Sequence, residues 1–329
     1  MSARRDKRRA GLEPRPGSPW LAVFGAALLA VWVVVVMRAH LAGLSLGPLL
    51  RETAVSLLPR PFPVSFGAVL ALSWRAAAAA WVLLAAWGAG WLAARPLKMA
   101  WRDPFEASAL RLGLGLGVLV YAILGLGLAG LLHPGVVKAA LAGLALVGVL
   151  RRGLDGIVPA VTALSPAGED LGRTWRAVFA CLLTAAGIAL VPFVLAPEVF
   201  WDAMNYHMGL PHLYLLEGAM VPTPTNIYSG NVLAVQMLFT AGLAVEGPIA
   251  AKLVNAGVGL ACCLFFASWA RRWRLPGAGL LASALFYLCP LVLFEFFRTS
   301  VGLGWAFFQL AAFHCVLTAA DEPESSGQR

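Results

Sequence analysis

The chain has 329 residues, 60% of them hydrophobic and 12% charged, and its mean hydropathy is +0.80. Such a composition excludes a large soluble domain and makes a single polytopic membrane domain of about eight spans, each about 20 residues long, the simplest reading. The formal charge of +9 does not indicate a nucleic-acid partner, because the basic residues gather at the ends of apolar segments, where they act as orientation signals.

Residues 1–18 form a basic, proline-containing tail that cannot bury a core and is expected to stay in the cytoplasm. The first apolar run, residues 20–37, is long and lacks a small-residue cleavage site, so it reads as a retained span, not a signal peptide. An amphipathic connection over 38–65 suits the membrane interface. A second span is predicted over 76–94, and the following loop with Arg95, Lys98, Arg102 and Arg111 reads as cytoplasmic.

The third span, 112–132, carries Gly113, Gly115, Gly117, Gly125, Gly127 and Gly130. These glycines suit close helix packing, and without a preceding strand they are not a phosphate loop. After a turn at His133 and Pro134 comes a short fourth span over 136–150. A second basic loop follows, reaching Arg176, and the fifth span is predicted over 177–195. The five cysteines, Cys181, Cys262, Cys263, Cys289 and Cys315, all lie in apolar segments, which argues against a disulfide framework or a CxxC site.

Residues 196–229, APEVFWDAMNYHMGLPHLYLLEGAMVPTPTNIYS, gather acids, two histidines, three tyrosines and four prolines without a Lys or Arg. A shaped polar loop between apolar segments is where function concentrates. The apolar stretch after it, 231–245, is interrupted by Gln236 and Thr240 and is short for about 30 Å of hydrocarbon. It is therefore expected to lie on or dip into the outer face as an interfacial helix. Spans six, seven and eight follow over 248–269, 278–294 and 301–319, with 320–329 as a cytoplasmic tail. This arrangement puts 18 of the 25 Lys and Arg residues on the cytoplasmic side and the polar loop outside. The domain plan is thus a basic tail (1–18), N-terminal transmembrane helices (19–195), an external loop with interfacial helices (196–247), three further transmembrane helices (248–319) and a C-terminal tail.

Three stretches carry a resemblance: FWDAMNYHMGLPHLYLLEG, VPTPTNIYSGN and AAKLVNAGVGLACCLFFASWARRW. Together they resemble the bacterial polytopic glycosyltransferases of the GT-C fold, relatives of the dolichyl-phosphate-mannose protein mannosyltransferases, over roughly residues 190–319. In that family an external loop with an acidic residue is followed by short helices on the outer membrane face and by a span running inward to a basic pair, here Arg271 and Arg272. The resemblance implies an all-α GT-C-like membrane fold in the cytoplasmic membrane with both termini inside. It implies transfer of a sugar from a polyprenyl-phosphate carrier to a glycan, lipid or protein acceptor on the outer face. Asp202 would be the general base or would orient the acceptor hydroxyl, and Tyr206, His207, His212, Lys252 and Arg298 would contact substrate. No cofactor is implied beyond the lipid-linked donor, and a divalent metal stays open. Where related sequences carry an acid at the start of a later span, this chain has Gly302. The chain also ends about two spans after the sixth, which reads as a shortened, inactive or partner-dependent member.

Plainer readings stand beside these. Asp202 suits a helix N-cap. His207 and His212 are five residues apart with Pro211 between them, off the spacing that shares a helix face, which argues against a metal site. Tyr206, Tyr214, Tyr228 and Trp201 suit interfacial anchoring. Lys252 can snorkel, Asn255 can pack helices, and Glu295 can pair with Arg298 at i, i+3. Two other functions remain in view: a non-catalytic relative that binds carrier lipid or scaffolds another enzyme, and a transporter, for which no internal duplication is visible.

Overall fold

The computed structural model describes residues 66–150 and 173–320, apart from residue 232, and a few residues between 27 and 38. The expectations for the N-terminal tail, most of the first span, the 38–65 connection, the loop over 151–172 and the C-terminal tail fall outside the described residues. The chain divides into two units, Met1–Ser65 and Phe66–Arg329. In the first, the described residues are helical and exposed.

The second unit is all-helical among its described residues. Its elements are α1 (Phe66–Ala94), α2 (Pro104–Leu128), α3 (Pro134–Leu150) and α4 (Arg173–Leu195), then α5 (Gly209–Glu217), α6 (Ala234–Val245), α7 (Pro248–Arg272), α8 (Pro276–Leu288), α9 (Pro290–Phe296) and α10 (Gly302–Ala320). Among the described residues five helices are long and apolar enough to cross a membrane, or six if the bent pair α8–α9 counts as one span. These mark a multi-pass membrane protein. Of the eight spans expected, the first lies mostly outside the described residues. The fourth is α3, a helix of 17 residues, short for an untilted crossing.

Local chemistry explains where the helices begin and break. The sequence pattern predicts a third span from residue 112, yet α2 begins eight residues earlier. Asp103 caps it by accepting from Phe105 N and Glu106 N at 2.8 and 3.1 Å, and Pro104 takes the first helical position, where no N–H is needed. Arg111, expected in the loop, therefore lies within the helix, its guanidinium 5.3 Å from the Trp101 ring. The seventh span was expected to run unbroken through residue 290. Instead α8 and α9 meet at a bend of 73°. Pro290 supplies no N–H and forces Cys289 into extended backbone (φ −61°, ψ 123°).

Helix α1 packs against both α2 and α3, and at glycines the backbones come into direct contact. A Cβ at Gly90 or Gly115 would overlap the backbone of the partner helix, and Gly88 faces Gly148 across the α1–α3 contact. This is the close approach that small residues permit in a membrane. Gly115 thus fulfils the packing expectation for the third span, whereas Gly117 and Gly125 have open space around them.

Helix α6 is enclosed. Ten of its 12 residues are buried against the neighbouring helices. It forms a hairpin with α7, and a Cβ at Gly242 would sit 2.7 Å from Ala251 Cα. Arg75 on α1 reaches the hairpin turn, its Nε 3.1 Å from a Glu246 oxygen. Two polar ends result. One holds the C-terminus of α4, the N-termini of α7 and α10, and residues 196–231 between α4 and α6. The other joins the N-terminus of α2 to the C-termini of α7 and α10.

A candidate site in the 196–231 connection

The connection is anchored before it reaches its polar residues. Glu198, 8% exposed, accepts from Val199 N and Phe200 N through one oxygen at 3.0 and 3.2 Å. Its other oxygen accepts from Thr299 N at 2.8 Å and Thr299 Oγ1 at 2.7 Å. The end of α4 is thereby tied to the α9–α10 turn. Lys252, 2% exposed, donates to the carbonyls of Phe193 and Ala196 at 2.9 Å each. A cation on the last carbonyls of a helix is favourable there. The Lys252 ammonium is thus engaged in closing α4.

Asp202 follows, exposed, at the start of a single π-helical turn, Ala203–His207. It makes no side-chain capping bond, so the N-cap reading is set aside. Its carboxylate lies near the Tyr206 hydroxyl one turn on and acts on it electrostatically. Burial raises the Tyr206 phenol above its ordinary pKa, and the charges of Asp202 and Tyr228 add to this, against Arg298. Tyr206 and Tyr228 stack with ring centres 4.3 Å apart, and Trp201 meets Tyr228 edge-on at 6.0 Å. Asn226 holds Tyr228 in place: its Oδ1 accepts from Tyr228 N at 3.0 Å while its Nδ2 donates to Asn205 O at 3.1 Å.

His207 lies inside this shelf, 5% exposed, with its ring 4.2 Å from Tyr206. Burial pushes its pKa down to about 4; Asp202 and Glu198 pull upward and Arg298 pushes further down. Gln236 of α6 lies 3.1 Å from its Nδ1.

Opposite stands the α9–α10 turn. Arg298 pairs with Glu295, its guanidinium carbon is 4.3 Å from the Phe294 ring centre and 5.8 Å from that of Phe200, and its Nε is buried without a partner. Ser300 donates to the second Glu295 oxygen. Asn255, 1% exposed, donates to the carbonyls of Glu295 and Arg298 at 3.0 and 2.9 Å, which fixes the turn. Gly302 lies against Glu295, and a Cβ at that position would overlap its carboxylate.

The structure therefore brings Asp202, Tyr206, His207 and Arg298 within electrostatic reach of one another. It directs Lys252 into helix capping and leaves His212 exposed on α5. Among the described residues no three His, Cys, Asp or Glu side chains converge as metal ligands. Glu198, Gln236 and Thr299 were not singled out from the sequence. Glu198 was legible as an acid inside the polar island, but Gln236 reads as an interruption of an apolar run until α6 folds against the connection.

The opposite end holds a second polar group. His314 of α10, 2% exposed, accepts from the Trp269 indole at 3.0 Å through Nδ1, and its Nε2 lies 3.0 Å from Glu106. Ser268 donates to Asp103 at 2.7 Å. An indole only donates, so the His314 proton sits on Nε2 and faces Glu106.

No family model, curated protein or solved structure matches the chain.

Proposed function

We propose that the chain is an inverting glycosyltransferase of the GT-C kind in the cytoplasmic membrane, moving a sugar from a polyprenyl-phosphate carrier to an acceptor hydroxyl on the outer face. One observation carries this reading: an exposed Asp202 carboxylate and an Arg298 cation with a free Nε–H both act electrostatically on Tyr206 and His207 of the aromatic shelf.

In this reading Asp202 accepts the proton of the acceptor hydroxyl as its oxygen forms the new bond to the anomeric carbon. The bond from that carbon to the carrier phosphate oxygen breaks, and the electron pair leaves with polyprenyl phosphate. Arg298 offsets the charge that develops on the leaving phosphate. The acid that the resemblance places at position 302 has a counterpart in Glu295, whose carboxylate fills the space beside Gly302.

Asp202→Asn tests the proposal. Asp202 is exposed and caps nothing, so the variant is expected to insert and fold as wild type while losing about 10²-fold or more of the transfer of labelled sugar from carrier lipid to acceptor. Undiminished transfer would remove Asp202 from this role. Wild-type protein that holds carrier lipid without any turnover would favour the scaffold reading.

A further inference from the structure

One contact in the connection determines what His207 can do. Gln236 is 3% exposed, and its side-chain Nε2 lies 3.1 Å from His207 Nδ1. An amide nitrogen donates and does not accept, so Nδ1 is the bare, accepting nitrogen of the ring and the proton sits on Nε2, on the far side of the ring from Gln236. A second observation marks this as more than a satisfied core pair. The Oε1 of the same amide is buried with no hydrogen-bond partner, a state that native interiors avoid unless something else supplies the donor.

The charged groups around the ring are Asp202 on its own turn, Glu198 from the start of the connection and Arg298 from the α9–α10 turn, while the Tyr206 ring lies against it. A neutral N–H donor between two carboxylates and one already paired arginine suits an uncharged oxygen better than a second anion. The stacked Tyr206 and Tyr228 rings beside it offer the apolar face that a sugar ring presses against.

We propose that Gln236 is a positioning residue that fixes His207 as a neutral Nε2–H donor to a sugar hydroxyl, so that His207 reads the transferred sugar and is not a base in the reaction. This rests on the transferase reading for its ligand, while the state of the ring can be measured without any turnover.

The experiment uses the full chain in nanodiscs with ring-¹⁵N-labelled histidine. Wild-type His207 is expected to show a bare Nδ1 and a protonated Nε2 from about pH 5 to 8, without titrating as an ordinary histidine near 6.5 does. Gln236→Glu, whose carboxylate can only accept, should move the proton to Nδ1 and bring the ring into titration near neutrality. Gln236→Leu should leave a mixture of both forms. A protonated Nδ1 in the wild type, or a Gln236→Glu ring identical to wild type, overturns the inference. Farnesyl phosphates bearing mannose, glucose or arabinose then serve as probes, with bare farnesyl phosphate as control. The Nε2 signal should shift with at least one sugar-bearing probe and stay in place with the control; a shift with the control alone, or with none of the probes, overturns the hydroxyl assignment. Absence of transfer by a wild-type chain whose His207 ring behaves as expected and shifts with a sugar-bearing probe would defeat the transferase reading and leave the sugar contact standing.

Discussion

Thr299 gives both its backbone N–H, at 2.8 Å, and its hydroxyl, at 2.7 Å, to a single oxygen of Glu198 from 101 residues earlier in the chain. This pair binds the end of α4 to the turn that presents Arg298, and the Glu198 carboxylate also lies near the buried Lys252. Removing the acid leaves four donors without their acceptor, Val199 N, Phe200 N and both groups of buried Thr299, whereas removing the hydroxyl loses one bond. Glu198→Ala is therefore expected to destabilise by about 2–3 kcal/mol and Thr299→Val by about 1 kcal/mol. Thermal unfolding in detergent checks the ranking, and equal effects would show that the hydroxyl bond carries the contact.

The relation between Gly302 and Glu295 gives a reciprocal test. A side chain at 302 overlaps the Glu295 carboxylate and must displace it from Arg298 and Ser300. Gly302→Asp alone is expected to reduce transfer at least about tenfold by adding a second acid to a space already filled. Combining it with Glu295→Ala removes the overlap and returns one carboxylate to the site, so transfer should recover in part. A double variant no better than the single one would show that Glu295 must supply the charge from its own backbone position.

These two relations also show why the fold was more legible than the site. Runs such as 177–195 and 248–269 announce membrane spans by length and apolarity alone, and α4 and α7 fall where those runs lie. The asides in the sequence were harder to weigh. The Asp103–Pro104 pair is a helix-start signal, but the basic residues around it read as a loop, which hides the first eight residues of α2. Pro290 sits in an unbroken apolar run, where a proline can be absorbed as a kink, and its extended predecessor is a fact of backbone geometry. Within the site Asp202, Tyr206 and His207 are neighbours in sequence and could be grouped at once. Gln236, Glu198 and Thr299 join them only through contacts spanning 29 and 101 residues, which no local pattern carries.

The buried imidazole of His207 predicts a pH dependence of stability. Its pKa is depressed in the folded chain, to about 4, so between about 6.5 and 4 the unfolded chain binds the proton and the folded one does not. Stability from this group is present above about pH 6.5 and is lost as pH falls toward 4, by up to about 3 kcal/mol. His207→Gln, which does not titrate, should flatten that part of the profile. Unfolding measured at pH 7.5 and about pH 4.5 should show a smaller difference in the variant than in wild type. An unchanged difference would mean that the ring is solvated and titrates normally.

At the far end the sequence Trp269, His314, Glu106 joins three helices through one ring. The indole fixes Nδ1 as an acceptor, so His314 meets Glu106 with its Nε2 proton at 3.0 Å, and Glu106 is also held by Arg102 N at 2.5 Å. Deleting the middle member is the most damaging change, because it leaves a carboxylate that is 3% exposed without its side-chain donor. His314→Leu is expected to cost about 3–5 kcal/mol, and Trp269→Phe, which keeps the aromatic packing and removes one donor, about 1 kcal/mol. Pairing His314→Leu with Glu106→Leu should recover most of the loss, since an apolar pair of similar volume no longer strands a charge. Thermal unfolding of the three variants decides it: a double variant as unstable as His314→Leu alone would mean that shape, and not the stranded carboxylate, sets the cost at this end of the bundle.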